Sequence, residues 1–417
     1  MKIRRTIPPA AAPIGVRSLA HGLAGMFFGA RYLENLEREL REYFGVPHVF
    51  LVSSGKAALT VILKALHSLA PDKREVIIPA YTCFSVPSAV VRAGLDVRLC
   101  DVRLDKYDFD YACLGKAVNE RTLGIIPNHL FGAPADMERL TSLCRDHGVF
   151  LIEDAAQSMG GTYRGKLLGT IGDVGFFSLG RGKNITCGSG GIIITGSDAI
   201  ASAVRSIYRR MDTPRLGEAV TEWIKAVVLA IFVHPSLFWL PTGIPFLRLG
   251  ETIFYADFPI KRLSGAGAGM MNRWQERLEH DNRLRRESVN YYHRTMHPGL
   301  QWRYFDGVAS LRLPLLAENR EMRDLLYSSL QSRGVGASTM YPSPITDIAE
   351  LRGHFDGASY PAAQALSERL LTIPTHPLLS AKDKEKICAL FSDLAESFQD
   401  TKFYSMNRSG THTAERI

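Results

Sequence analysis

Apolar and polar residues recur along this chain with two different periods, and the changes of period lay out its elements. Leu33, Leu36, Leu40 and Phe44 fall at helical intervals in YLENLERELREYF, so residues 32–44 read as an amphipathic helix with its charges facing water. Short runs read as strands at 49–52, 76–78, 96–100, 149–152, 175–179 and 191–195. Most are continuously apolar, as expected of strands covered on both faces. Helical patterns lie between several of them, beginning with SSGKAALTVILKAL, and the alternation implies right-handed crossovers and a mainly parallel sheet. Residues before Arg31 are expected to be irregular, because Pro8, Pro9 and Pro13 oppose an early helix.

The pattern changes after about Tyr208. From Ala226 to Leu247 no charged residue occurs (AVVLAIFVHPSLFWLPTGIPFL), but Pro235, Pro241 and Pro245 interrupt the roughly twenty continuous apolar residues that a spanning helix needs. Two readings stand: an apolar insertion packed on the protein or on a second subunit, and a hairpin dipping into a membrane interface, with Trp239, Lys225 and Arg248 as anchors. Farther on, a strand at 310–315 and amphipathic helices form a C-terminal part, which ends in the polar stretch SMNRSGTHTAERI. The expected organisation is a large domain over 1–260 carrying the insertion 226–247, a small α/β domain over 261–398, and a disordered tail over 399–417.

Composition adds limits. At 417 residues, 46% hydrophobic and 22% charged, the chain can bury a large core in two domains. Its +8 net charge is scattered and carries no nucleic-acid-binding motif, so phosphorylated small molecules suit it better than nucleic acid. The six cysteines form no CxxC pair or metal-ligand cluster and read as reduced thiols, with no metal expected. The N-terminus lacks a signal-peptide core, so a cytoplasmic location is expected, with membrane association through 226–247 as the variant.

Chemistry concentrates in 149–195. The apolar strand 149–152 stops at Glu153 and Asp154, and Lys183 sits in a glycine-rich turn between two further strands. A partly desolvated lysine can condense with an aldehyde, which is how pyridoxal phosphate (PLP) is anchored. Asp154 could then stabilise a protonated pyridine nitrogen, and Ser178 could bind the phosphate. Taken singly, Lys183 and Asp154 read as a solvated loop lysine and a helix cap; the conjunction points to the cofactor. Ser54, Gly55 and Lys56 precede an amphipathic helix whose N-terminus suits an anion, although a simple N-cap explains them equally.

EDAAQS (153–158) followed by FSLGRGKNITCGSGG (177–191) resembles the signature of the DegT/StrS family of PLP-dependent nucleotide-sugar aminotransferases. The resemblance implies the aspartate aminotransferase type of α/β fold (fold type I), with a large α/β/α domain and a smaller C-terminal α/β domain. It makes Lys183 the Schiff-base lysine, Asp154 the pyridine partner, Gln157 a neighbour of the ring and Ser178 a phosphate ligand. Lys56 replaces a threonine of the family's SGTAAL, and Ser189 stands where an acidic residue is usual. Tyr81 and Phe84 are candidates to stack on the ring, with packing in the core as the other reading of each; the usual aromatic position falls nearer Cys83. His129 reads as positioned near the cofactor or simply packed, and Asn128 stands where the family is commonly apolar. A homodimer is implied, moving an amino group from a donor, glutamate, to a nucleotide-linked keto sugar in polysaccharide, glycan or secondary-metabolite biosynthesis. Two rivals are a PLP-dependent sugar dehydratase, in which relatives replace the lysine by histidine, and a non-catalytic PLP-binding sensor or membrane-linked assembly protein.

Overall fold

The computed structural model describes residues 5–243, 252–296, 305, 307–355 and 357–399; the end of the apolar run (244–247), Arg248 and the tail from 400 onward lie outside the described residues. Two helices open the chain, α1 (Val16–Gly25) and α2 (Gly29–Phe44). Strands and helices then alternate as β1 (His48–Val52), α3 (Gly55–Leu69), β2 (Glu75–Pro79), α4 (Ser85–Ala93), β3 (Asp96–Cys100), α5 (Tyr111–Ala117), β4 (Thr122–Ile125), α6 (Met137–His147) and β5 (Phe150–Asp154). A small hairpin, β6 (Thr162–Tyr163) and β7 (Lys166–Leu167), leads into β8 (Val174–Ser178), β9 (Gly191–Thr195) and α7 (Asp198–Arg209). Next come α8 (Leu216–Phe232), the short α9 (Trp239–Thr242), α10 (Gly265–Met270) and α11 (Trp274–Thr295). The C-terminal part comprises β10 (Arg312–Leu316), α12 (Arg320–Ser332), α13 (Pro361–Arg369), β11 (Leu370–Pro374) and α14 (Ala381–Gln399).

Seven strands form one sheet in the order β1-β9-β8-β5-β4-β2-β3. The neighbours from β3 to β8 are all parallel, whereas β9 runs antiparallel to β8 and β1. This arrangement places the site. The carboxyl ends of β1, β5 and β8 share one edge of the sheet, and the reversed β9 makes the 179–190 connection turn back at that edge. Ligands of open α/β sheets gather at such an edge.

Helices cover both faces of the sheet. On one side α3, α4 and α7 bury Leu59, Ile62, Val90 and Val204; on the other, α2, α10 and α11 bury Leu40, Phe44, Met270 and Trp274. The far end of α11 belongs to a second core, where Val289 and Tyr292 pack with Leu313, Leu330, Ile373 and Phe391 around the antiparallel pair β10–β11. Ile7 joins this core and bridges Val335, so the N-terminal segment threads between the two parts.

One expectation is corrected. Residues before Arg31 are not all irregular: the prolines hold only the first segment, and α1 starts at Val16. Its buried face is Ser18, Gly22 and Gly25, so no apolar period marks it. The face is small because backbones touch there: a Cβ on Gly25 would lie 2.1 Å from the Gly265 oxygen, and one on Gly269 would lie 2.1 Å from the His21 oxygen.

The apolar run also resolves in part. Helix α8 ends at Phe232, just before His234-Pro235, and no helix among the described residues is long and apolar enough to cross a membrane. Leu216, Val220, Ile224, Val228 and Ile231 lie exposed along it, at helical spacing. Trp239 is half-buried and lines a cavity.

Candidate active site

Adjacent residues of a strand point to opposite faces, so the two carboxylates that end β5 serve different surroundings. Glu153 is fully buried. Its Oε1 accepts the N–H groups of Ile171 (2.5 Å) and Gly172 (2.6 Å), and its Oε2 accepts those of Gly169 (2.8 Å) and the His129 ring (Nε2, 3.1 Å). The Nδ1 of His129 accepts from Ala135 N–H at 3.2 Å, which assigns the ring proton to Nε2. His129 is therefore a packed, carboxylate-bound residue, and its own N–H donates to the Asp154 carbonyl at 3.2 Å. Asn128 also has an explanation: buried beside Asp154, it donates to Thr82 Oγ1 at 2.9 Å.

Asp154 faces the other way. Among the described residues its carboxylate accepts one hydrogen bond, from Ala156 N–H at 3.0 Å. Burial pushes its carboxyl above the usual carboxylate range, and the charge of Lys183 and then the hydrogen bond from Ala156 N–H pull it back. This buried acid is thus held toward its charged form mainly by the lysine.

Lys183 sits in the β8–β9 turn, which is fastened from beneath. The buried Arg285 of α11 donates to the carbonyls of Lys183 (3.2 Å), Asn184 (3.0 Å) and Ala11 (3.2 Å). Asn184 donates to Asn282 Oδ1 at 3.0 Å and accepts from Met159 N–H at 3.3 Å. Thr186 donates to the Leu179 carbonyl at 2.8 Å. Ser189 donates to the Ser53 carbonyl at 2.7 Å, tying the turn to the exit of β1 in the place of an acidic side chain.

That exit is a cradle of hydroxyl and glycine. Ser54 caps α3, its Oγ accepting from Ala57 N–H at 3.1 Å. A Cβ on Gly55 would lie 2.9 Å from Ser178 Cβ, and one on Gly191 would lie 2.3 Å from the Ser54 oxygen, so β8, β9 and the helix N-terminus meet as closely as backbones allow. Ser178 Oγ accepts from Gly180 N–H at 3.3 Å. Ser54, Gly55 and Ser178 are brought together; Lys56 is not turned to this cradle. Its ammonium lies 4.4 Å from the Phe258 ring centre and 5.0 Å from that of Tyr255, and burial lowers its pKa.

The remaining candidates separate. Tyr81 is buried with its ring centre 5.3 Å from that of Tyr341, its hydroxyl 3.4 Å from the Tyr341 backbone N and O. Phe84 is buried at the start of α4, in the core shared by α3 and the sheet. Cys83 lies within electrostatic reach of both Lys56 and Tyr341. Gln157 Oε1 accepts from Phe131 N–H at 3.3 Å, and its Nε2 donates to the Tyr341 hydroxyl at 3.1 Å. Tyr341 thus joins Tyr81, Gln157 and the neighbourhood of Asp154, reaching in from the C-terminal part. Sequence reasoning missed it and Arg285; Tyr341 lies in the YPSPI segment, noted only as part of the small domain.

A buried carboxylate beside an amine, with a hydroxyl-lined helix N-terminus nearby, suits a ligand that has a protonatable ring nitrogen at one end and a phosphate at the other. Comparison with known proteins agrees. The DegT/DnrJ/EryC1/StrS aminotransferase family matches residues 22–221 and 261–392, leaving 222–260 unmatched. GDP-perosamine synthase of Vibrio cholerae is 32% identical over 170 residues, 41% of this chain and 46% of that protein, so the chain spans about half the length of that relative. dTDP-3-amino-3,4,6-trideoxy-alpha-D-glucose transaminase of Streptomyces venezuelae is 26% identical over 389 residues, 89% of each. The solved structure of Helicobacter pylori PseC, an aminotransferase involved in the biosynthesis of pseudoaminic acid, superposes with a TM-score of 0.77 at 18% identity, over 94% of this chain and 100% of that one. At that identity the likeness is one of fold, and the expected fold type I architecture is the one observed.

Proposed function

The chain belongs to the DegT/DnrJ/EryC1/StrS aminotransferase family, and from that premise we propose that it is a PLP-dependent enzyme moving an amino group from glutamate to a nucleotide-linked keto sugar. One observation carries the reading: the Lys183 charge opposes the burial of Asp154 at the edge where Ser54, Gly55 and Ser178 converge. When bound, PLP supplies the electron sink that makes a carbon-bound proton labile. Lys183 is the residue that would hold the cofactor, through Nζ, and the same amine would serve as general base and acid for the substrate's proton. Asp154 would keep the ring nitrogen protonated, while Ser178, Ser54 and the Gly55 N–H would hold the phosphate. Arg285 acts through the turn, as a positioning residue for Lys183. Tyr341 and Gln157 form a hydrogen-bonded wall over the site, with Tyr81 packed behind them. The family relationship further supports a homodimer as the working form. In the test, protein loaded with PLP is incubated with glutamate and a panel of nucleotide-linked keto sugars. Release of 2-oxoglutarate and an aminated sugar is expected. Cofactor binding without amination of any sugar, and without conversion of the cofactor by glutamate, would favour the sensor reading.

The exposed apolar stripe of α8 supports a second element: peripheral contact with a lipid surface through the insertion, beside Lys225. Cosedimentation with anionic vesicles is expected and should be lost in Ile224→Glu/Val228→Glu. If wild type stays in the supernatant and the double variant instead changes the oligomeric state, the stripe is a subunit contact.

A further inference from the structure

A cavity of about 990 Å³ lies between the N-terminal segment, α8, α9 and the stretch leading into Tyr341. Its lining has two characters, which suit the two ends of an amphiphile. Arg181 and Arg312 line it, and neither has a carboxylate partner among the described residues. The polar contact of Arg312 is the Met340 sulfur, 3.6 Å from Nη1, and burial pushes its guanidinium down to about 10. A half-buried cation without a counter-charge is costly unless an anion arrives. The insertion supplies an apolar and aromatic lining, Leu229, Val233, Phe238 and Trp239, all within the segment 222–260 that the family does not match. That apolar surface does not stop at the cavity. Val228 and Ile231 on the same helix, and Leu237 next to Phe238, are exposed. The insertion thus carries neighbouring apolar side chains on its outer stripe and on the cavity wall.

We infer that this cavity binds a membrane lipid with a phosphate monoester head, Arg181 and Arg312 taking the phosphate and Leu229, Val233, Phe238 and Trp239 taking the first part of the chain. The inference deepens the lipid-surface reading of α8 and rests on it: the stripe meets the bilayer, and the cavity takes one molecule from it. Two guanidinium groups match a phosphate monoester, which carries close to two charges at neutral pH, better than a carboxylate, which carries one. The volume lies at the upper end of the range for small-molecule sites, enough for a head group together with part of a chain. Inorganic phosphate would use the arginines alone and gain nothing from the apolar wall. A chain should add affinity, about three- to fourfold for each methylene it buries.

Calorimetric titration of the PLP-loaded full chain with inorganic phosphate and with butyl, hexyl and octyl phosphate tests this, alongside cosedimentation with phosphatidylcholine vesicles containing phosphatidic acid or phosphatidylglycerol. Affinity is expected to climb along the alkyl series, with octyl phosphate bound at least about tenfold more tightly than butyl phosphate. Arg312→Met should weaken every member about tenfold or more, with Arg312→Lys recovering part of the loss. Trp239→Ala and Leu229→Ser should flatten the climb and leave inorganic phosphate unchanged. At equal surface charge, phosphatidic acid should hold more wild-type protein than phosphatidylglycerol, and folded Arg312→Met should lose that preference. Equal affinity for inorganic and octyl phosphate would make this a free-anion site, and displacement of octyl phosphate by a lower concentration of UDP would make it a substrate site; either result overturns the inference. A flat series in protein that still cosediments with vesicles overturns it alone. Protein that stays in the supernatant with both vesicles removes the lipid-surface reading and the inference together.

Discussion

Glutamine at position 153 would keep the shape of the side chain and remove its acceptor capacity. Glu153 accepts four hydrogen bonds in a fully buried site, three from backbone N–H groups and one from His129. Placed at Oε2, the amide nitrogen of Glu153→Gln would face two donors, Gly169 N–H and His129 Nε2–H. His129 cannot turn its proton away without penalty, because its Nδ1 already accepts from Ala135. With the amide reversed, the nitrogen would meet Ile171 and Gly172 N–H, at still shorter distances. Either way two hydrogen bonds to a charged acceptor are lost, at about 1.5–3 kcal/mol each, so the cost is about 3–6 kcal/mol. For a folding unit of roughly 150–250 residues the lower figure corresponds to a fall in Tm of about 6–12 °C. Scanning calorimetry of Glu153→Gln and wild type at neutral pH measures it. A fall of under about 2 °C would refute the claim that this carboxylate organises the loop over 169–172 and the His129 ring.

The neighbouring acid should behave in the opposite way. Burial makes the charged form of Asp154 costly, so Asp154→Asn is expected to leave Tm unchanged or raised while turnover falls at least a hundredfold; Tm and kcat on one preparation check it. Arg285→Met removes the donors to the carbonyls of Lys183, Asn184 and Ala11 and should lower kcat about tenfold and weaken PLP binding, with Arg285→Lys recovering part of both. His376 is buried, held at about 3 by burial, and paired with the Pro8 carbonyl at 2.9 Å. Its folded value lies below its unfolded one, so the unfolded chain takes up the proton first and stability drains away as pH falls from about 6.5 toward 3, by roughly 1.4 kcal/mol per pH unit. Urea midpoints between pH 7 and 5 should fall less steeply in His376→Gln.

The strands and their parallel arrangement could be read from the sequence because their residues are buried on both faces, which leaves short apolar runs with abrupt ends. Asp154 stood out because it lies where such a run stops, and Lys183 because it sits in the glycine-rich turn between two others. Helix α1 left no trace, since its buried face is Ser18, Gly22 and Gly25 and its contacts are between backbones. Arg285 was hidden for a different reason: α11 is so polar that a fully buried guanidinium looks like its solvated neighbours. Tyr341 reaches the site only because the C-terminal part folds back over it, which no local pattern records. The direction of Lys56, toward Tyr255 and Phe258 and away from the helix N-terminus, depends on residues some two hundred positions away.

The account turns on one amine. The measurement that tests it most directly is borohydride reduction of the PLP-loaded protein, followed by proteolysis and mass spectrometry. The expected result is a pyridoxyl group on the peptide containing Lys183, and none in Lys183→Ala. A label on any other lysine, or unlabelled protein that never takes up the absorbance of the bound cofactor, would contradict it.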